Sequence, residues 1–308
     1  MKLARRVTGR STVIAFTGAY HGMSAGAAGV SASPGMRTGV PVESQPVVRM
    51  PFSCNETNGQ EVLKTVSDLV DDPKSGIELP AAVIIEPIQG EGGVNVAPDG
   101  FYTALYEFAT QRSIIVIADE IQCGVGHSGN MWASEYADVV PDILVMSKAL
   151  GGSLPLAVIA YAERLDTWPP GAHTGTFRGT TLAMAAGAAT LRVIEEDQLV
   201  SRAAATGSQF KDRLSRLVER GLAADVRGRG LMLGINAGTG ERAGRVRDSA
   251  FTAGLMLETG GRNGEIVRRL PPLNTTDADF DLAGSILEQS FSDCGQCPEP
   301  SWPTGSEC

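Results

Sequence analysis

Five short stretches of the chain are apolar at nearly every position rather than at every second one: "TVIAF" (12–16), "AAVIIE" (81–86), "SIIVIAD" (113–119), "DILVMS" (142–147) and "LAVIAYA" (156–162). Continuous runs of this length predict β-strands buried on both faces. Between them "DGFYTALYEFATQR" (99–112) has helical periodicity with Asp99 near its start, and residues 180–221 read as one or two long helices that stop at Gly221. There is no internal repeat. Strands alternating with helices predict an α/β domain built on a mostly parallel sheet.

After about residue 222 the pattern changes. "GLMLGIN", "GLMLETGG" and "EIVRRLPPL" predict short strands, and "TDADFDLAGSILEQSF" predicts a last helix opened by a Thr-x-x-Asp cap. The expected organisation is a large domain over 1–220, a smaller α+β domain over 221–292 and an irregular tail over 293–308. "NGQEV" and "DDPKSGIELP" read as surface loops.

Composition narrows the function classes. The chain has 308 residues, 43% of them hydrophobic, enough for one large core or two domains. A net charge of −9 argues against binding nucleic acid or anionic membranes through bulk charge. No apolar run approaches the ~20 residues that span a bilayer. "VIAF" near the start is too short for a secretory signal, so a cytoplasmic location is expected. Of five cysteines, Cys54 and Cys123 lie far apart in the sequence, while Cys294, Cys297 and Cys308 crowd the tail. One CxxC without a second pair or nearby histidines is a weak metal signal, and no metal site is predicted.

The strand ends hold the chemistry. Lys148 directly follows an apparently buried strand, where burial disfavours an ammonium and lowers its pKa. In parallel sheets functional groups collect beyond the carboxyl ends of the strands. Those ends carry Asp119, Glu120 and Gln122 in "IIVIADEIQ", Ser147 and Lys148 in "DILVMSK", and Glu86, Gln89 and Glu91 in "IIEPIQGEGG". A lysine and an acid at neighbouring strand ends have two readings. One is a structural ion pair. The other is a Schiff-base lysine facing a carboxylate that keeps a cofactor's pyridinium nitrogen protonated.

The wording around these residues, "EPIQGEGG", "IADEIQCGVGHSG", "PDILVMSKALGGSLPLA", "HTGTFRG" and "VRGRGLMLGI", resembles the class III aminotransferases over roughly residues 1–292. That resemblance implies the aspartate-aminotransferase fold (fold type I) and pyridoxal 5′-phosphate as cofactor. It assigns Lys148 to the Schiff base and the proton shuttle, Asp119 to the pyridine nitrogen, and Gln122 to the ring hydroxyl. Tyr20 matches the aromatic that stacks on the ring; His21 completes that turn and joins the cofactor-binding set. Thr176 matches a threonine given to the cofactor phosphate of the partner subunit, which implies a homodimer with shared active sites. Arg268 matches the clamp for the α-carboxylate of 2-oxoglutarate, a task suited to guanidinium. Glu91 matches the acid that pairs with this arginine while the amino donor is bound, and Glu86 a supporting acid. Arg178 and Arg269 are left between a solvated face and a phosphate contact.

The implied reaction moves the terminal amino group of L-2,4-diaminobutyrate, or a similar ω-amino acid, to 2-oxoglutarate, giving aspartate 4-semialdehyde and glutamate. The implied partners are an amino acid and a 2-oxo acid, with no nucleic acid and no membrane. Departures from the family pattern are Cys123 for threonine, His127 for arginine, Thr180 for asparagine and a short loop between Ile235 and Phe251. The largest is at the front, where "MKLARR" resembles the end of a helix that family members open with an "SG-x-[DE]-A" phosphate-holding turn. An N-terminal segment of roughly a quarter of a family chain is expected to be lacking. A truncated, non-catalytic remnant that binds the cofactor poorly is the alternative.

Overall fold

Each of the five apolar runs forms a strand. The computed structural model describes residues 1–39 and 46–298. Its first sheet contains β1 (Val13–Phe16), β2 (Val47–Met50), β3 (Ala82–Ile85), β6 (Ile115–Asp119), β7 (Ile143–Met146) and β8 (Val158–Tyr161), with β4 (Ile88–Gln89) and β5 (Asn95–Val96) forming a hairpin beside it. The strand order is β2-β1-β3-β6-β7-β8, parallel except for the antiparallel edge strand β8. The helices that follow or precede these strands are α1 (Lys2–Thr8), α2 (Ala25–Val30), α3 (Pro34–Arg37), α4 (Glu56–Asp71), α5 (Asp99–Gln111), α6 (Thr181–Glu196) and α7 (Leu199–Glu219).

The unbroken apolar runs have a simple cause. Ile14, Phe16, Val83, Ile85 and Val116 point to one face and pack on Val62 and Val66 of α4 and Phe101 and Leu105 of α5. Val13, Ala15, Ala82, Ile84, Ile115 and Ile117 point to the other, with Leu3 and Ala4 of α1. Successive strand residues therefore meet two different cores, and both sets must be apolar. β8 departs from this expectation. It is the outer edge of the sheet, and Ile159 is 42% exposed.

A second, antiparallel sheet follows, in the order β11-β12-β10-β9: β9 (Asp225–Arg229), β10 (Met232–Asn236), β11 (Glu258–Gly260) and β12 (Ile266–Arg269). Leu233, Ile235 and Val267 pack on Phe210, Leu214 and Leu217 of α7, on α8 (Gly240–Thr252) and on α9 (Asp277–Asp293). The Thr276 hydroxyl caps α9 by accepting from Asp279 N–H at 3.2 Å.

Several sequence-based expectations are corrected. "NGQEV", expected as a loop, lies inside α4. Asn55 caps that helix, accepting from Asn58 N–H at 2.8 Å. Gly59 is there because a Cβ would fall 2.9 Å from Phe101 Cβ, so its glycine marks a close helix–helix approach and not a turn. The span between Ile235 and Phe251 is largely the helix α8, capped by Thr239. Residues 254–257 of "GLMLETGG" are not strand, and β2 and β9 had no counterpart among the predicted elements. The residue 180–221 stretch, expected as one or two helices, is two, divided at Gln198, which has φ 52°. Most of the expected tail, Cys308 included, lies outside the described residues.

Candidate active site

The carboxyl ends of β1, β3, β6 and β7 open on the same side of the sheet because those strands are parallel. Asp119 ends β6 and is 5% exposed. His21, four residues past Thr17 on the segment that leaves β1, donates from Nδ1–H to Asp119 Oδ2 at 2.8 Å. The imidazole is held from behind, because its own backbone N–H donates to the buried Ser31 hydroxyl at 2.9 Å. Asp119 Oδ1 accepts only a long bond from Ile121 N–H, at 3.2 Å, among the described residues. His21 Nε2 is buried and has no partner among them.

Glu86 joins this group from the end of β3. Its Oε1 accepts from Tyr20 N–H at 2.8 Å and its Oε2 from Gly90 N–H at 3.1 Å. Burial pushes its pKa up to about 7, with His21 pulling down and Asp119 pushing further up. Tyr20 is half-buried beside it, and Gln122 lies against the backbone of Gly90. Gln89 has a structural task, since its Nε2 donates to Thr17 O at 2.7 Å and ties the loop to β1. Glu120 turns away from the strand ends and accepts from Ala133 N–H, Ser134 N–H and the Ser134 hydroxyl.

The loop that begins at Glu86 ends on the second sheet. Gly93 has φ 113°, and a Cβ there would lie 2.9 Å from Ile266 Cγ1, so only glycine lets the loop reach β12. Gly261 N–H donates to Glu91 O at 3.0 Å. These contacts place Glu91 against Arg268, 177 residues away, in a two-pronged pair at 2.8 and 3.1 Å. Arg268 is 4% exposed and also donates to Glu258 Oε2 at 3.1 Å. Its Nε has no partner among the described residues.

Lys148 is three residues beyond Val145, which pairs with Asp119 across the sheet. Its backbone is left-handed, φ 45°, an unusual conformation for a side chain-bearing residue. The preceding Ser147 hydroxyl donates to Leu156 O at 2.7 Å and fixes the turn. Contrary to the expectation of a buried ammonium, Lys148 is exposed, because its strand is already over when the lysine begins the turn. Thr176 lies apart from this group, in an exposed segment with Phe177 and Arg178. Arg269 is neither on a solvated face nor in the group: Phe210 and Phe280 enclose it.

The His21–Asp119 bond and the second carboxylate on Arg268 leave no signal in the sequence. "YHG" signals a turn and not its partner, and nothing around Glu258 marks it.

Residues 1–291 match the family described as Aminotransferase class-III. The chain belongs to that family. It is 40% identical to a diaminobutyrate–2-oxoglutarate aminotransferase of Rhizobium meliloti (strain 1021), with 96% of this chain and 68% of the relative covered. A protein of the same description from Haemophilus influenzae is 39% identical, with 95% and 70% covered. Among solved structures, an amine transaminase from an uncultivated Pseudomonas species, in its PLP-bound form, superposes with a TM-score of 0.84 at 27% identity, over 96% of this chain and 73% of that one. An ornithine aminotransferase from Toxoplasma gondii ME49 gives 0.85 at 27% identity, over 95% and 69%. The fold of this class III aminotransferase is therefore that of the fold type I transaminases. No helix among the described residues is long and apolar enough to cross a membrane.

Proposed function

We propose that the chain transfers the terminal amino group of L-2,4-diaminobutyrate to 2-oxoglutarate, with pyridoxal 5′-phosphate held at the carboxyl ends of β1, β3, β6 and β7. The relatives that catalyse this exchange by name support the substrate pair. The observation that carries the reading is the buried Arg268 held by Glu91.

The residues present fit the cofactor's ring and carbonyl. Asp119 offers a buried carboxylate with acceptor capacity to spare, beside a buried imidazole nitrogen that has no partner among the described residues. Tyr20 offers an aromatic face, Gln122 an amide, and Lys148 a primary amine within reach of solvent. When bound, pyridoxal phosphate supplies a carbonyl that captures amines and a cationic ring that accepts electron density. The Asp119 carboxylate would face that ring, and His21 fixes its orientation through the 2.8 Å bond. Lys148 would supply the primary amine that holds the cofactor's carbonyl and would serve as the proton carrier. Glu86, near pH 7 in its titration, sets the local charge behind Tyr20 and His21.

Arg268 and Glu91 account for two substrates of different charge in one site. With 2-oxoglutarate bound, the guanidinium receives a carboxylate in place of Glu91; with the diamine bound, Glu91 returns and cancels the positive charge. Glu91 suits this exchange because its side chain is 33% exposed while that of Arg268 is 4% exposed.

A homodimer with Thr176 facing the partner's site is part of the proposal. Phe177, 87% exposed, and Leu182, 67% exposed, support it as an apolar surface next to Thr176. Sedimentation of the purified chain tests it, and a monomer at micromolar concentration sinks it.

A second reading, a member that holds the cofactor poorly and does not turn over, rests on the exposure of Lys148. One experiment separates the two. The chain is mixed with pyridoxal phosphate and examined for a visible absorbance band that borohydride abolishes. Glutamate formation from 2-oxoglutarate is then followed with diaminobutyrate, ornithine or 4-aminobutyrate as donor. The first reading requires the band, its loss in Lys148→Ala, and diaminobutyrate as the best donor. Absence of the band, or a band indifferent to Lys148→Ala, leaves the second.

A further inference from the structure

The CxxC turn that closes α9 is built into the small sheet's helical layer and faces a buried arginine that has no carboxylate partner among the described residues. Cys294 caps α9, and Gly295, at φ 75°, reverses the chain directly after it. Cys297 is fixed from elsewhere: its N–H donates to Gly221 O at 2.8 Å, beyond the end of α7. Its sulfur lies on Gly238, where a Cβ would come within 2.9 Å. Both thiols are free and both are partly exposed, so a small reagent reaches them.

Arg242 of α8 lies under this turn. It is 2% exposed and donates to Ala237 O at 3.1 Å, to Phe291 O at 3.4 Å and to Gly295 O at 2.6 Å, the last inside the CxxC itself. Its Nε has no partner, and no acid pairs with it among the described residues. Burial lowers its pKa, and the anionic forms of Cys297 and Cys294 oppose that, Cys297 the more strongly. Among the described residues this buried guanidinium meets carbonyls, the Phe291 ring at 5.4 Å and the CxxC turn, an arrangement in which a thiolate finds a counter-charge.

We propose that Cys294 and Cys297 form a dithiol–disulfide site in which Arg242 stabilises the attacking thiolate, and that oxidation by a low-molecular-weight disulfide locks the end of α9 to the small sheet. The Cys297 thiolate attacks one sulfur of the small disulfide and expels one thiolate, leaving a mixed disulfide. The Cys294 thiolate then attacks the Cys297 sulfur and expels the second. Two electrons pass from the protein sulfurs to the small molecule, and the two protein protons end on its two thiols. The site is a slow lock, not a catalyst of exchange. Burial raises the Cys297 thiol and Asp225 adds to it, with Arg242 only partly opposing them. High-pKa thiols are poor leaving groups, so the disulfide resists reduction. The proposal is independent of the transaminase reading.

The test incubates the purified full chain in buffers of graded oxidised to reduced glutathione, quenches with acid, alkylates and maps peptides by mass. The expected peptide holds Cys294 and Cys297 unalkylated and lighter by two hydrogen atoms, while the buried Cys123 stays alkylatable after unfolding. Cys294→Ser is expected to stop at one glutathione on Cys297, and Cys297→Ser to react far more slowly. Oxidised wild type is expected to melt higher than reduced, by more than the Cys294→Ser, Cys297→Ser double variant does, since Cys54 is itself disulfide-bonded and answers to the buffer in both. Arg242→Lys is expected to retain the reaction, and Arg242→Gln to slow it about tenfold at pH 8. Should Arg242→Gln fail to fold, suppression of the wild-type rate by salt reads the same charge. The proposal is overturned if both thiols remain alkylatable at every ratio, if both carry glutathione without an internal bond, or if oxidation leaves the melting point unchanged. A rate indifferent to both Arg242 and salt removes the arginine from it.

Discussion

Arg268 and Arg269 are neighbours on β12 and both are buried, yet the two faces of that strand give a guanidinium different company. On the face toward the large sheet Arg268 meets Glu91 and Glu258. On the opposite face Arg269 lies between the rings of Phe210 and Phe280, 4.2 and 4.5 Å from their centroids. Burial alone pushes the Arg269 pKa down to about 10. The difference teaches that residue type and burial do not separate a binding arginine from a packing one; the partner does. A carboxylate at the edge of solvent is replaceable by a substrate carboxylate. Two aromatic faces are not, and the cation there serves as a filler whose charge the rings partly balance.

The largest break in this comparison comes from Arg268→Gln. On the proposed function, kcat/KM for 2-oxoglutarate falls by two to three orders of magnitude, about 3–4 kcal/mol, while kinetics toward an uncharged keto acceptor change little. Equal losses with both acceptors would make Arg268 a structural residue like its neighbour. Next, Arg269→Ala should lower the unfolding free energy by about 3 kcal/mol in urea titrations, through a cavity and two lost ring contacts. Its activity when folded should stay within about twofold of wild type. Arg269→Met, which fills the space without a charge, should remain within about 1 kcal/mol.

Glu86 sharpens the contrast through pH. Its folded pKa of about 7 lies above the ordinary value of 4.5, so the folded protein binds the extra proton between those values. Its contribution is therefore fully present below pH 4.5 and is lost as pH rises through 7, on the order of 3 kcal/mol. Urea unfolding at pH 5 and pH 8 should show wild type losing stability relative to Glu86→Gln; parallel behaviour would rule this out. Arg269→Met should not alter the trend, since Arg269 stays charged across that range. The smallest effect belongs to Glu258→Gln. Glu258 is 72% exposed, and its pair with Arg268 should be worth under about 1 kcal/mol, seen as less than a threefold change in KM for 2-oxoglutarate.

Much of the framework was legible in the sequence because local pattern controls it. The runs ending at Phe16, Ile85, Asp119 and Met146 are strands because both faces of the sheet are covered. The cap at Thr276 and the stop at Gly221 are encoded within a few residues of where they act. α4 was illegible because its glycine carries a packing reason, the approach to Phe101, that turn statistics read the other way. α8 was illegible because its polar, arginine-rich surface hides the narrow buried stripe of Ala243, Val246 and Ala250.

By itself the sequence determined which residues stand at the strand ends: Glu86, Asp119, Ser147 and Lys148 lie where their apolar runs finish, and that is a matter of chain order. Only the tertiary structure decided their company. His21 meets Asp119 across 98 positions and Glu91 meets Arg268 across 177. Those meetings depend on the strand order, on the reach of the 86–94 loop and on the glycine that lets it touch β12. Contacts of that range leave no periodicity in the chain, because what selects them is the geometry of two packed sheets and not the spacing of residues along one.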